Sequence, residues 1–229
     1  MSRRGGRGGG GRGRSKGSKS GGRRNTYAKP DRFTRQAKAE GYLARSVYKL
    51  EELDRRFQLF RKGDRVVDLG CSPGSWLVWA DERVGPKGHV VGVDIEEPGP
   101  TILEVIVRDI FDVPGSELRE LLGGPANVVM SDMAPRTTGN LLGDHVRQIE
   151  LATRALELAR ELLVPGGHFV VKVFDGEDAH AYVQSVRPYF DKVKRSRPEA
   201  VRKESREFFL VGTGYVGRSD APTTAEDPS

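Results

Sequence analysis

Short apolar runs, separated by polar and glycine-rich stretches, recur through the middle of the chain. Six of them are predicted β-strands: "GDRVVDL", "GHVVGVDI", "EVIVRD", "ANVVMSD", "GGHFVVKVF" and "REFFLVGTGY". Residues 31–60 have apolar side chains three or four positions apart, which predicts a helix. Helical patterns also follow most of the strands, most clearly "GDHVRQIELATRALELARELL". Strands that alternate with helices predict an α/β fold with a mostly parallel sheet and helices on both faces.

The beginning of the chain has a different composition. Residues 1–24 are rich in Gly, Arg and Ser, with nine Lys or Arg and no acidic residue. Such a segment buries too little apolar surface to offset its ordering entropy. We therefore predict a disordered Gly/Arg-rich basic tail over residues 1–27, a folded domain over residues 28–217 and a disordered tail over residues 218–229. The basic tail is either an electrostatic tether for RNA or a solubilising extension.

Charge is unevenly distributed in the rest of the chain. The formal net charge is +6, and subtracting the nine charges of the first 24 residues leaves −3. Residues 25–66 and residues 187–206 nevertheless each carry a net charge of +5. Two basic segments on an otherwise acidic domain favour a polyanion that binds one face.

Several classes of protein are disfavoured by the composition. Cys71 is the only cysteine, which excludes an intrachain disulfide and favours a reducing compartment. The four histidines lack the spacing of metal ligands, so we expect no catalytic metal. No signal peptide or membrane-spanning run is evident. We expect a cytoplasmic, soluble monomer with no membrane partner.

The turn after the first predicted strand, "DLGCSPGSW", indicates a small ligand with an anionic end. Gly70 and Gly74 let the backbone approach a ligand, and free N–H groups at a helix start attract a negative group. NAD is disfavoured, because its fingerprint needs a glycine where Ser72 stands. Asp94 is placed to accept hydrogen bonds from ribose hydroxyls, and Asp109 one from an adenine amine. A ligand with a carboxylate, a ribose and an adenine but no diphosphate is S-adenosylmethionine.

Each of these features also has a structural explanation. The glycines could be ordinary turn residues, and a lone Asp at a strand end could cap a helix. Trp76 could belong to the core. Their order along the chain, at the carboxyl ends of successive strands where open α/β sheets bind ligands, favours a cofactor site.

Lys172 stands between two valines in the fifth predicted strand. An unpaired ammonium in apolar surroundings costs several kcal/mol or more, so Lys172 must find a partner, reach water or lose its proton. Loss of the proton would make it a base. Three more charged residues are candidates for the same site: Asp132 at the end of the fourth strand, Glu207 at the start of the last, and Lys49 in the basic N-terminal helix.

Five motifs, "SVYKLEEL", "VVDLGCSPGSW", "VVMSDMAP", "FVVKVFDGE" and "SREFFLV", resemble in order those of the FtsJ-like ribose 2'-O-methyltransferases. The resemblance implies a Rossmann-like S-adenosylmethionine-dependent methyltransferase fold. It also implies a catalytic tetrad formed by Lys49, Asp132, Lys172 and Glu207. It implies cofactor contacts from Gly74, Trp76, Asp94, Asp109 and Asp132. The chain departs from the family pattern at Arg136, where an amide is usual.

The motifs are most similar to those of family members that methylate a uridine ribose in large-subunit (23S) ribosomal RNA. The implied partner is therefore ribosomal RNA, within the large ribosomal subunit. Two alternatives stay open, a transfer RNA ribose methyltransferase and a non-catalytic RNA-binding ribosome-assembly factor. The intact tetrad argues against the second, because a binding module has no need of Lys172 in an apolar strand.

The implied chemistry leaves two roles for Lys172. As a neutral amine it would take the proton of the 2'-hydroxyl, and as an ammonium it would stabilise the developing alkoxide. RNA binding also requires cations that hold the phosphates on either side of the ribose. The candidates for this clamp are Arg32, Arg35, Lys38, Arg45 and the run from Lys192 to Arg206.

Overall fold

The computed structural model describes residues 31–136 and 139–217. The two predicted tails, residues 1–27 and 218–229, lie outside these described residues, and what was predicted of them stays a prediction.

Six helices and seven strands make up the described part of the chain. The helices are α1 (Arg32–Glu40), α2 (Val47–Phe57), α3 (Ser75–Val84), α4 (Gly115–Leu121), α5 (Leu141–Leu162) and α6 (Ala179–Val186). The strands are β1 (Arg65–Leu69), β2 (His89–Asp94), β3 (Glu104–Val107), β4 (Ala126–Ser131), β5 (Leu163–Phe174), β6 (Phe190–Ser196) and β7 (Glu207–Tyr215). In these two ranges no helix is both long and apolar enough to cross a membrane.

The strands form one mixed sheet in the order β3-β2-β1-β4-β5-β7-β6. The first five strands of that order are parallel to one another. Strand β7 is antiparallel to both β5 and β6. The prediction of a mostly parallel sheet is therefore confirmed. Because β7 runs in the opposite direction, it begins at the edge where the parallel strands end, with Glu207 paired to Phe174, the last residue of β5.

The sheet packs into two apolar cores, one on each face. One core is shared with α4, α5 and α6, and the other with α1, α2 and α3. Successive residues of a strand point to opposite faces. In β5, Val171 and Val173 belong to the first core, whereas Val170 belongs to the second. The same alternation places Lys172 on the face covered by α2, the helix that carries Lys49.

The structure differs from the predicted elements in three places. The helix predicted over residues 31–60 is two helices, because α1 ends at Gly41, whose φ of +84° closes its last turn. The third strand ends at Val107, and Asp109 beyond it caps a short 3-10 turn. The edge strand β6 was not predicted, because its sequence, "FDKVKRS", is mostly charged.

Candidate active site

The loops at the carboxyl ends of β1, β2, β3 and β4 line a cavity of about 870 Å³, together with residues of α5. The first loop begins at Gly70, where φ is +81° and an added Cβ would lie 2.4 Å from Met133 Cγ. Only glycine fits at this position, so the first loop can pass close to the loop that follows β4. The backbone N–H groups of Gly70 and Cys71 donate to the carbonyl of Val93 and hold the first loop against β2.

Two of the predicted carboxylates line this cavity and are already held by backbone N–H groups. Asp94 Oδ2 accepts a hydrogen bond from Ser72 N at 2.8 Å, and its Oδ1 accepts one from Glu96 N at 3.0 Å. Asp109 Oδ1 accepts one from Phe111 N at 3.1 Å. A carboxylate oxygen has a second lone pair, so both residues keep acceptor capacity for a ligand hydroxyl or amine.

Apolar side chains also line the cavity without being buried. Ile95 and Phe111 each retain 53% of their accessible surface, although large apolar residues of a folded domain are usually enclosed. Together with Asp94 and Asp109, these two side chains give the site an apolar wall and a few fixed hydrogen-bond acceptors. Such a site suits a small ligand that has a flat ring and several hydroxyl or amine donors.

The predicted quartet comes together beside this cavity, and Asp132 is part of the cavity wall. Lys172 Nζ lies 3.1 Å from Asp132 Oδ1 and donates a hydrogen bond to the Asp132 carbonyl. Lys49 Nζ lies 3.6 Å from Asp132 Oδ1 and 2.7 Å from Glu207 Oε1. The four side chains therefore form a continuous chain of ion pairs in the order Lys172, Asp132, Lys49 and Glu207.

The quartet is mostly enclosed and electrically balanced. Its side chains are between 7% and 17% exposed. Two ammonium groups face two carboxylates, so the cost of burying each charge is offset by a partner. The question raised by Lys172 thus has a structural answer, since its amine is paired with Asp132 rather than isolated in the core.

Gln148 supports the quartet from α5 and was not singled out in the sequence. Its side chain is 1% exposed, and its Nε2 donates to the carbonyl of Lys172 at 2.8 Å and to that of Met133 at 3.4 Å. It therefore joins β5 to the loop after β4. A signal was available, because Gln148 occupies the buried stripe of α5 otherwise formed by His145, Ala152, Ala155 and Ala159.

Asp68 is a second residue of the site region that was not singled out in the sequence. It lies in β1 with no accessible surface, and neither of its oxygens has a hydrogen-bond partner among the described residues. Burial raises the pKa of Asp68 well above its usual value, and the charges of Asp132 and Asp94 raise it further. A protonated carboxyl at this position adds no negative charge beneath the cavity.

Two predicted cofactor contacts do not line the cavity. Trp76 is a core residue, 3% exposed, whose Nε1 donates to the carbonyl of Ser46 and whose ring packs against Phe209. Gly74 precedes α3 with φ of +112°, and an added Cβ there would approach Pro98 rather than the cavity wall. Any contact of these two residues with a cofactor stays a prediction.

The predicted RNA clamp divides into exposed and internally paired cations. Arg32, Arg35 and Lys38 lie exposed on α1. Arg45 is instead mostly enclosed, forming an ion pair with Asp31 and donating to the carbonyl of Ala200. Arg45 thus fastens the loop before β7 to the N-terminal helices.

Comparison with known proteins places these features in a family. Residues 42–215 match the model of the FtsJ-like methyltransferases. A ribosomal RNA large subunit methyltransferase E from Desulfosudis oleivorans is 45% identical over 186 residues, which cover 80% of this chain and 89% of that protein. One of the same name from Syntrophobacter fumaroxidans is 44% identical over 190 residues, which cover 82% and 96%.

A solved structure agrees with the sequence comparison. A chain from Plasmodium falciparum, described as a ribosomal RNA methyltransferase, superposes with a TM-score of 0.69 at 27% identity. The superposition covers 77% of this chain and 100% of that chain.

Proposed function

Because this chain belongs to the FtsJ-like methyltransferase family, we propose that it methylates the 2'-hydroxyl of a uridine ribose in large-subunit (23S) ribosomal RNA. The methyl donor is S-adenosylmethionine, and ribosomal RNA within the large subunit is the partner. The observation that carries the proposal is the ion-paired quartet beside a cavity lined by fixed carboxylates.

The cavity suits S-adenosylmethionine in its hydrogen-bond acceptors and in its apolar wall. Asp94 and Asp109 offer acceptors to the ribose hydroxyls and the adenine amine, and Phe111 offers a half-exposed apolar face to the ring. Asp132, which lines the same cavity, would offer a carboxylate to a cationic group of the ligand. When bound, the cofactor supplies an activated methyl group on a sulfonium.

The quartet prepares the acceptor hydroxyl. Lys172 is held directly behind the cavity wall, because its Nζ contacts both the carbonyl and the carboxylate of Asp132, which lines the cavity. These contacts fix the amine with part of its hydrogen-bonding capacity left for a substrate hydroxyl. Lys49 and Glu207 position the acceptor and hold Asp132 in place. Correct placement of the reacting groups supplies a large part of the acceleration.

The proposal is tested by replacing the amine of Lys172 while keeping the length of its side chain. Lys172→Met should lower single-turnover methyl transfer at least about a hundredfold, because a positioned base or charge stabiliser contributes about 10²–10⁴. Calorimetry should show nearly unchanged cofactor binding, because Lys172 does not line the cavity. The matched control is Lys87→Met. Lys87 is exposed and lies between α3 and β2, at the opposite edge of the sheet.

The same assay separates the two roles of Lys172. If Lys172 is a base, Lys172→Arg should be as inactive as Lys172→Met, because guanidinium stays protonated. If Lys172 stabilises charge, Lys172→Arg should keep part of the activity. Large subunits, free ribosomal RNA and transfer RNA serve as parallel substrates, with the modified nucleotide mapped in each. Normal turnover by Lys172→Met, or methylation of transfer RNA alone, would overturn the proposed function.

A further inference from the structure

A second cavity, of about 820 Å³ and open to solvent, shares no lining residue with the cofactor cavity. Two residues that follow β5, Asp175 and Gly176, form part of its wall, and the loop between β6 and β7 forms the rest. The two parts are joined by a hydrogen bond of 2.8 Å from Asp175 N to the carbonyl of Arg206. Arg206 immediately precedes Glu207, so this cavity begins one residue away from the quartet.

The loop that lines this second cavity is held in a defined conformation. Arg197 Nη2 donates to three carbonyls of the loop, those of Arg202, Lys203 and Ser205. Ala200 and Val201 are buried in the core beneath α2. The side chains that the loop presents therefore project from a fixed backbone rather than from a freely moving segment.

The two cavities differ in whether their cations are already paired. In the cofactor cavity, each arginine has a carboxylate partner, the pairs being Arg108–Glu117, Arg136–Glu96 and Arg147–Asp144. In the second cavity, Lys203 and Arg206 have exposed side chains that form no ion pair within residues 31–136 and 139–217. Of the two acids on the same wall, Asp175 is paired with Arg195 at 2.8 Å, and Glu204 is the residue that follows Lys203. Cations without partners beside a reaction site are available to a negatively charged substrate.

An RNA substrate requires positive charge at this place. The 2'-hydroxyl and the 3'-phosphate are carried by neighbouring carbons of one ribose, so a hydroxyl at the quartet brings a phosphate close to it. The quartet cannot neutralise that phosphate, because its two ammonium groups are balanced by two carboxylates. Arg206 immediately precedes Glu207 and shares the cavity wall with Lys203, so these two cations are available to do so.

From this arrangement, and resting on the proposed function, we infer that the second cavity is a phosphodiester subsite in which Lys203 and Arg206 bind a backbone phosphate beside the acceptor ribose. The subsite holds the RNA strand beside Glu207, while the cofactor cavity holds the methyl donor beside Asp132. Glu204, which also lines the cavity, weakens the subsite by repelling the phosphate.

The test measures RNA affinity against salt concentration in the absence of cofactor, with a 23S ribosomal RNA transcript as the probe. Each phosphate contact contributes about 0.7–0.9 to the slope of log affinity against log salt. Because the two cations bind one phosphate, raising the salt from about 50 to about 200 mM should weaken RNA binding by the double variant Lys203→Gln, Arg206→Gln about threefold less than it weakens binding by the wild type. Lys87→Gln removes an exposed charge at the opposite edge of the sheet and should leave the slope nearly unchanged.

Glu204→Gln removes a negative charge from the wall of the same cavity, so it should strengthen RNA binding. In steady-state methylation, the double variant should raise KM for RNA more than it lowers kcat. The subsite would be refuted if the double variant had the same salt slope as the wild type. It would also be refuted if Lys87→Gln lowered the slope as much as the double variant does. If the wild-type protein methylates ribosomal RNA while the double variant binds it normally, only the subsite fails. Absence of methyl transfer by the wild type would instead refute the proposed function.

Discussion

Asp68→Asn tests whether the buried carboxyl of β1 is protonated in the folded protein. Asp68 has no accessible surface, pairs in register with Gly92 and Met130, and has no hydrogen-bond partner among the described residues. Burial raises its pKa well above the usual value, and the neighbouring carboxylates act in the same direction. Asparagine has nearly the same shape and cannot ionise.

The magnitude follows from proton linkage. A carboxyl has a pKa of about 3.9 in an unfolded chain. Between that pH and its raised folded-state pKa, the folded protein holds one proton more than the unfolded chain, so the free energy of unfolding falls as pH rises. The fall is about 1.4 kcal/mol per pH unit, and it reaches about 4 kcal/mol at pH 7 for a carboxyl that is still protonated there. Asp68→Asn removes this loss.

Urea unfolding of both proteins between pH 4 and pH 8, without cofactor, measures the effect. The stability of Asp68→Asn relative to the wild type should increase by about 1.4 kcal/mol per pH unit from pH 4 up to the raised pKa of Asp68 and stay constant above it. Asp112→Asn, a change at an exposed position in the 3-10 turn after β3, should show no such increase. A difference between Asp68→Asn and the wild type that stays constant from pH 4 to pH 8 would show that Asp68 is ionised in the folded protein.

Two further substitutions test the supports of the site. Asp94→Ala removes the acceptor of two backbone N–H groups, those of Ser72 and Glu96. It should therefore lower stability by about 1–3 kcal/mol and weaken S-adenosylmethionine binding in calorimetry; normal binding would remove Asp94 from the cofactor site. Gln148→Leu leaves the buried carbonyl of Lys172 without its donor. It should cost about 1–3 kcal/mol in urea unfolding and lower kcat more than it changes cofactor affinity, whereas an unchanged kcat would make Gln148 purely structural.

The sheet and much of the site could be predicted because they depend on local patterns. Apolar runs identify the buried strands, and the carboxyl ends of those strands mark the cavity, so Asp94 and Asp109 were found from position alone. Lys172 was conspicuous because a charge in an apolar strand has few acceptable surroundings. By the same criterion Asp68 was detectable, since it stands in "RVVDL" and β1 is a central strand buried on both faces.

The parts that were missed depend on contacts between distant segments. Strand β6 is specified by pairing with β7 rather than by its own mostly charged sequence. Nothing in the sequence distinguishes Arg45 from a solvent-exposed cation. In the structure, however, its guanidinium donates a hydrogen bond to the carbonyl of Ala200, 155 residues away. Trp76 fits equally well as a cofactor wall or as core, and only its hydrogen bond to Ser46 and its packing on Phe209 favour the core.

The direction of β7 explains how four charges from separate elements can meet. In a wholly parallel sheet, the first residue of a strand lies at the edge opposite the ligand site. Because β7 is antiparallel, its first residue, Glu207, lies beside the end of β5, within 2.7 Å of Lys49 on α2. Because β7 begins there, residue 206 and the loop before it lie at the same edge, where the carbonyl of residue 206 accepts a hydrogen bond from Asp175 N. The reversed strand therefore brings both the last member of the quartet and the cations of the inferred phosphate subsite to the place proposed for methyl transfer.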